Sequence, residues 1–122
     1  MVKILVVDDD EILRNVIRHI LEHNGYDVIE ADDGDVAIEL ARTEQPDLIL
    51  LDMVLPKMTG VEVAPIIKTH PKTKNIPIIA LTASQASEGA EDAHMAGCDR
   101  YMTKPIDQQR LLHTVALFVT EK

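Results

Sequence analysis

A single cysteine, Cys98, stands in the 122 residues, so no disulfide can form within the chain. A lone thiol after Gly97 reads as a small buried or half-buried side chain, not as a redox group. Basic residues are scarce: 12 Lys and Arg stand against 21 Asp and Glu. The resulting net charge of −9 argues against nucleic acid or an anionic membrane surface as a partner, because both need a basic field at the contact. Long apolar runs are missing too. The N-terminal MVKILVVDDD has one lysine and meets three consecutive acids from Asp8, too early for a signal-peptide core. No run approaches the roughly 18 residues that a membrane span requires, so the expected compartment is the cytoplasm. Linkers, repeats and low-complexity segments are absent, and no output domain is expected after the last helix. What is present is ordinary for a globular chain, with 46% hydrophobic and 27% charged residues. At this length one domain, residues 1–122, can bury enough apolar surface to fold without disulfides or a structural metal.

Short apolar runs recur at Ile4 to Val7, weakly at Val28 to Ile29, at Leu48 to Leu51 and at Ile78 to Leu81, with a short final strand near Arg100 to Met102. Between them the spacing is helical. Ile12, Leu13, Val16, Ile17, Ile20 and Leu21 form one stripe that ends at Asn24-Gly25, a C-cap pair. A second helix is expected from near Asp33-Gly34, turning Val36, Ala37, Leu40 and Ala41 inward and stopping before Pro46. A third carries the capping-box spacing Thr59 and Glu62. Pro65 falls past its first turn, so a kink or a start later than the box is expected. The fourth, Ser84 to Ala96, has Gly89 in its middle and should be the least stable. The fifth carries Leu111, Leu112, Val115, Phe118 and Val119. The whole reads as α/β, a (βα)₅ doubly wound parallel sheet, because near-continuous apolar strands suit a sheet covered on both faces.

In such a sheet, residues just after each strand share one rim, where ligands bind. Asp8, Asp9 and Asp10 follow the first run, and Asp52 follows the third. Carboxylates this close repel one another unless a cation joins them. A hard divalent ion is implied, and Mg²⁺ suits oxygen ligands while keeping positions open for phosphate oxygens. Thr82 after the fourth run adds a hydroxyl, and Lys104 after the fifth adds an ammonium. Together they supply a nucleophilic carboxylate and the positive groups that stabilise a transferring phosphoryl group. Each has a plainer explanation: Asp10 and Glu11 as first-turn acids, Asp8 and Asp9 likewise, Thr82 as a β-former and Lys104-Pro105 as a solvated loop. The combination at four of five strand ends outweighs them.

The segments VVDDD at 6–10, LLDMVLPKMTG at 50–60, ALTAS at 80–84 and GCDRYMTKP at 97–105 resemble the response-regulator receiver family along the whole chain. That resemblance implies a flavodoxin-like strand order, 2-1-3-4-5. It also implies Asp52 as phosphoacceptor, with Mg²⁺ held by Asp9, Asp52 and the Val54 carbonyl and by Asp8 through water. Thr82 and Lys104 would contact the phosphoryl group, Thr82 and Tyr101 would act as switch residues, and Lys104-Pro105 would be a cis peptide. A sensor histidine kinase or a histidine phosphotransfer protein would be the donor. A downstream protein would bind the face of the fourth helix, fifth strand and fifth helix. The chain would catalyse its own phosphorylation and dephosphorylation without being a turnover enzyme. Val54 and Ser84 occupy positions that vary in the family and bear on phosphoryl lifetime.

Two other functions are open to these residues. The D-x-D spacing within Asp8-Asp9-Asp10 is that of a haloacid-dehalogenase-like phosphatase with Asp8 as nucleophile, though there is no room for a cap domain and no later paired acids. The same fold could also serve as a phosphorylation-independent interaction module. His19 and His23 have i, i+4 spacing but belong on a solvated helix face. His70, His94 and His113 are scattered.

Overall fold

The computed structural model describes residues 1–83 and 96–119. Five strands are described: β1 Lys3–Val7, β2 Asp27–Ala31, β3 Leu48–Asp52, β4 Ile78–Thr82 and β5 Arg100–Thr103. They alternate with α1 Glu11–His23, α2 Gly34–Glu44 and α3 Gly60–Thr69, and α4 Gln108–Phe118 follows β5. All pairings are parallel, in the order β2-β1-β3-β4-β5, as the resemblance implies. The helix expected over Ser84 to Ala96, with Gly89 and His94, lies outside the described residues but for Ala96.

Alternation along the strands divides the core into two layers. Leu5, Val7, Ile49, Leu51, Ile78 and Ala80 pack on one face against Ala37 and Ala41 of α2 and Val63, Ala64 and Ile67 of α3. Ile4, Val6, Leu48, Leu50, Ile79, Leu81 and Met102 pack on the other against Ile17 and Leu21 of α1 and Leu111 and Val115 of α4. Every residue of β3 and β4 is buried, which is why these runs read as continuous rather than alternating. The register aligns the carboxyl ends: Val7 lies beside Leu51, Asp52 beside Leu81 and Thr82 beside Thr103.

Three expectations need correction. Ile12 and Val16 do not join the inward stripe of α1; they are exposed, because Leu13, Ile17, Ile20 and Leu21 already fill the arc that reaches the sheet. Val36 is likewise exposed, since α2 approaches the sheet through the small side chains of Ala37 and Ala41. Helix α3 begins at Gly60, where the capping box puts it, and runs through Pro65. The Glu62 carboxylate accepts from Thr59 N at 3.1 Å, and Val63, Ala64 and Ile67 are buried. Together these outweigh one missing backbone bond on an exposed face.

Candidate functional site

Asp8 follows β1 directly and is fully buried. Its N–H donates to Ala31 O at 3.2 Å, and its carboxylate Oδ1 accepts from Asp10 N at 2.9 Å. Its carbonyl accepts from Arg14 Nη1 at 2.8 Å. Asp10 caps α1, accepting from Ile12 N and Leu13 N at 3.0 and 3.3 Å, and Glu11 lies in the first turn. The first-turn explanation therefore holds for Glu11, whereas Asp10 stands one place earlier as the N-cap and Asp8 lies outside the helix. Asp9 lies between them and is exposed.

Asp52 closes β3 and is buried, with Oδ1 accepting from Val54 N at 3.0 Å. Lys104 reaches both buried acids: its Nζ lies 3.1 Å from Asp8 Oδ2 and 3.1 Å from Asp52 Oδ2. The lysine is carried there by β5, whose end is tied to β4 through Lys104 N donating to Thr82 O at 2.8 Å. Lys104-Pro105 is cis, as the resemblance implies.

Burial pushes the Asp52 carboxyl above its ordinary value, and the nearby Asp8 charge adds to this; the Val54 N–H and Lys104 pull the other way without cancelling it. For Lys104, burial disfavours the ammonium, but hydrogen bonding and attraction from Asp8 and Asp52 outweigh it and raise the group above its ordinary value. The site thus holds more negative charge than one ammonium satisfies.

Oxygens of Asp8, Asp9 and Asp52 lie within 4.8 Å of one another, a spacing that one cation can bridge. Asp8 Oδ2 is buried, and among the described residues its partner is the Lys104 ammonium. An all-oxygen set with one under-satisfied buried carboxylate suits a hard divalent ion such as Mg²⁺.

Thr82 ends β4, buried, with its hydroxyl donating to Met102 O at 3.4 Å. Val54 stands in the loop after β3 with its side chain 67% exposed, at the open side of the site. Tyr101 is not among the carboxylates; it lies one strand position from Met102, beside Ala80, and is 41% exposed. Ser84 is outside the described residues.

The loop beyond Asp52 is held tightly. Gly60 N donates to Met53 O at 3.0 Å, and a Cβ on Gly60 would lie 2.5 Å from Asp52 O and 2.7 Å from Met53 Cα. Only glycine permits that approach. Lys57 adopts φ 66°, and Met58 N donates to Pro56 O at 2.7 Å, closing a three-residue turn around it.

Sequence reasoning missed Arg14 and Glu30. Arg14 Nε donates to Glu30 Oε1 at 3.0 Å, and Arg18 Nη1 donates to Glu30 Oε2 at 2.9 Å. The signal was present: Arg14 stands next to the apolar stripe of α1, and Glu30 interrupts the apolar run of β2.

Residues 4–116 match the response regulator receiver domain family. The polar-differentiation response regulator DivK of Brucella anthropi is 34% identical over 116 residues, covering 95% of this chain and 94% of that one. Among solved structures, the chemotaxis response regulator CheY4 of Vibrio cholerae superposes with a TM-score of 0.91 at 31% identity, over 98% of this chain and 99% of that one. The receiver domain of the sensor histidine kinase PA1611 of Pseudomonas aeruginosa, with magnesium in its active-site cleft, gives a TM-score of 0.89 at 31% identity over 95% of each chain.

Proposed function

The chain belongs to the response regulator receiver family of two-component signalling, and from that premise we propose that residues 1–122 act as one phosphoryl-accepting unit with Asp52 as the acceptor. The observation that carries this reading is Lys104 Nζ at 3.1 Å from both Asp52 and Asp8, a positive group bound to the nucleophile at the rim of the sheet. Asp10, the second acid of the D-x-D spacing, is committed to capping α1, which disfavours the phosphatase alternative.

An Asp52 carboxylate oxygen attacks phosphorus in line with the bond to the donor's imidazole nitrogen. That bond breaks, its electron pair stays on the imidazole, and an aspartyl phosphate forms. Val54 N–H orients the carboxylate through Oδ1. Lys104 then has an oxygen of the new phosphoryl group within reach, and Thr82, at the end of the neighbouring strand, offers its hydroxyl to another. Asp9, Asp52 and the Val54 carbonyl would hold Mg²⁺ directly, with Asp8 acting through water. Bound there, the ion supplies charge neutralisation on the phosphoryl oxygens.

Drawing the Thr82 hydroxyl from Met102 O toward the phosphoryl group changes the packing between β4 and β5, with Tyr101 responding on the latter. The face made by β5 and α4 would carry that change to a downstream protein. The donor would be a sensor histidine kinase or a histidine phosphotransfer protein in the cytoplasm, and uptake would stop at one group per chain. No described helix is long and apolar enough to cross a membrane.

Mass spectrometry after incubation with acetyl phosphate and Mg²⁺ tests the reading. A single alkali-labile phosphoryl addition is expected, lost in Asp52→Asn. Undiminished addition in that variant overturns the assignment.

A further inference from the structure

We infer that Arg14 is a positioning residue for the metal-binding loop, setting the direction of the Asp8–Asp9 peptide and through it the affinity for Mg²⁺. The inference rests on the proposed function, because it concerns the same ion.

Asp8 and Asp9 must present their carboxylates toward Asp52 from a loop only three residues long, between the end of β1 at Val7 and the start of α1 at Glu11. The Asp8 side chain is held by Asp10 N, and its amide by Ala31 O. The remaining freedom is rotation of the peptide that joins Asp8 to Asp9, whose carbonyl oxygen belongs to Asp8. Arg14 Nη1 holds that oxygen at 2.8 Å. The guanidinium is itself held, since its Nε donates to Glu30 Oε1 at 3.0 Å and its side chain is only 16% exposed. A planar guanidinium fixed at Nε aims Nη1 in one direction, which a lysine cannot reproduce. Glu30 is braced in turn by Arg18, so a chain of contacts runs from β2 through α1 to the peptide that precedes Asp9.

Charge and position make opposite predictions. Arg14 is a cation near a cation site, and removing its charge alone would tighten Mg²⁺ binding. Removing the hydrogen bond frees the Asp8–Asp9 peptide and weakens binding; loss of an outer partner of this kind costs on the order of tenfold in metal affinity. The sign therefore separates the two.

The experiment is a Mg²⁺ titration of the full chain, followed by amide resonances without any phosphoryl donor. In Arg14→Gln the dissociation constant should rise about tenfold. Arg14→Lys, able to satisfy either Asp8 O or Glu30 but not both from one plane, should fall between. Arg18→Gln removes an equal charge one turn further along α1 and one brace on Glu30 while leaving the Asp8 bond intact, so it should weaken binding less than Arg14→Gln. If Arg14→Gln does not fold, Arg14→Lys carries the test alone: it keeps the charge, so weakening there is positional. Unchanged or tighter binding in Arg14→Gln, or in Arg14→Lys where that takes its place, overturns the inference while leaving the phosphoacceptor reading intact. An unmutated chain that binds no Mg²⁺ overturns both.

Discussion

Replacing the proposed acceptor should stabilise the protein. Asp52 is 3% exposed, and its carboxylate shares the Lys104 ammonium with Asp8. With an effective dielectric of about 20, two carboxylate oxygens no more than 4.8 Å apart repel by about 3 kcal/mol, while the ammonium at 3.1 Å attracts by about 5 kcal/mol. The repulsion is a lower bound, so the two are of similar size, and burial, the largest cause, leaves the charged form disfavoured, in keeping with the raised Asp52 carboxyl. Asp52→Asn removes the charge and keeps the shape. Relief of this kind at a functional site is worth about 1 kcal/mol, a rise of about 4 °C in melting temperature for a chain of this size. The sign of the pH dependence follows from linkage. A carboxyl raised in the folded state binds its proton more tightly there than in the unfolded chain, so the unmutated protein gains stability as pH falls through the folded value toward 3.8. The advantage of Asp52→Asn should thus be full at pH 7.5 and shrink as pH falls through that window. Differential scanning calorimetry in EDTA at several pH values measures it. Added Mg²⁺ should narrow the gap, because the ion binds the unmutated site better. An Asn variant no more stable than the unmutated chain at pH 7.5 in EDTA refutes the charge balance drawn from these distances.

Lys104→Met should cost about 3 kcal/mol in EDTA, leaving two buried carboxylates without their counter-charge, and less with saturating Mg²⁺; urea midpoints with and without the ion check this, and equal losses would refute it. The raised Lys104 ammonium adds stability present below its unfolded value of 10.5 and lost as pH rises through the folded one, so unmutated and Met chains should converge in strong alkali. Gly60→Ala should cost about 1–3 kcal/mol because its Cβ meets the Asp52 and Met53 backbone. Gly25→Ala, at φ +89° with nothing within 4 Å, should cost about 1 kcal/mol from backbone strain alone; equal urea midpoints for the two would count against the steric reading. Val54→Asn should shorten the phosphoryl lifetime severalfold, about 1 kcal/mol in barrier, by offering a hydrogen bond to the attacking water at the exposed side of the site. Decay of phosphorylated protein after donor removal, at constant Mg²⁺, reads this, and an unchanged lifetime moves control elsewhere.

The sheet was legible because β1, β3 and β4 are buried on both faces, which leaves unbroken apolar runs in the sequence. β2 was harder: its residues are mostly half-buried, and Glu30 breaks the pattern for a reason that lies on α1. Helix termini were readable wherever a local cap sets them, as at Asp33 and Asn24. Inward faces were less so. Apolar periodicity says which side chains can be buried, not how wide an arc the partner covers, and Ile12, Val16 and Val36 lie beyond it. At the site, the residue types after each strand identified the acids and Lys104. The division of labour among Asp8, Asp9 and Asp10 needed coordinates, because one carboxylate caps a helix and another binds an ammonium from positions two residues apart. Arg14 escaped notice because its role is to touch a carbonyl, a group every residue has.

Lys104, which closes the site against Asp8 and Asp52, arrives on the last strand of the sheet. During synthesis the two acids emerge from the ribosome well before their counter-charge, which reaches them through the pairing of β5 with β4. On the proposed chemistry, a nascent or incompletely docked chain carries the acceptor without the group that activates it. On that chemistry, competence to accept a phosphoryl group waits on the docking of the strand that precedes Lys104.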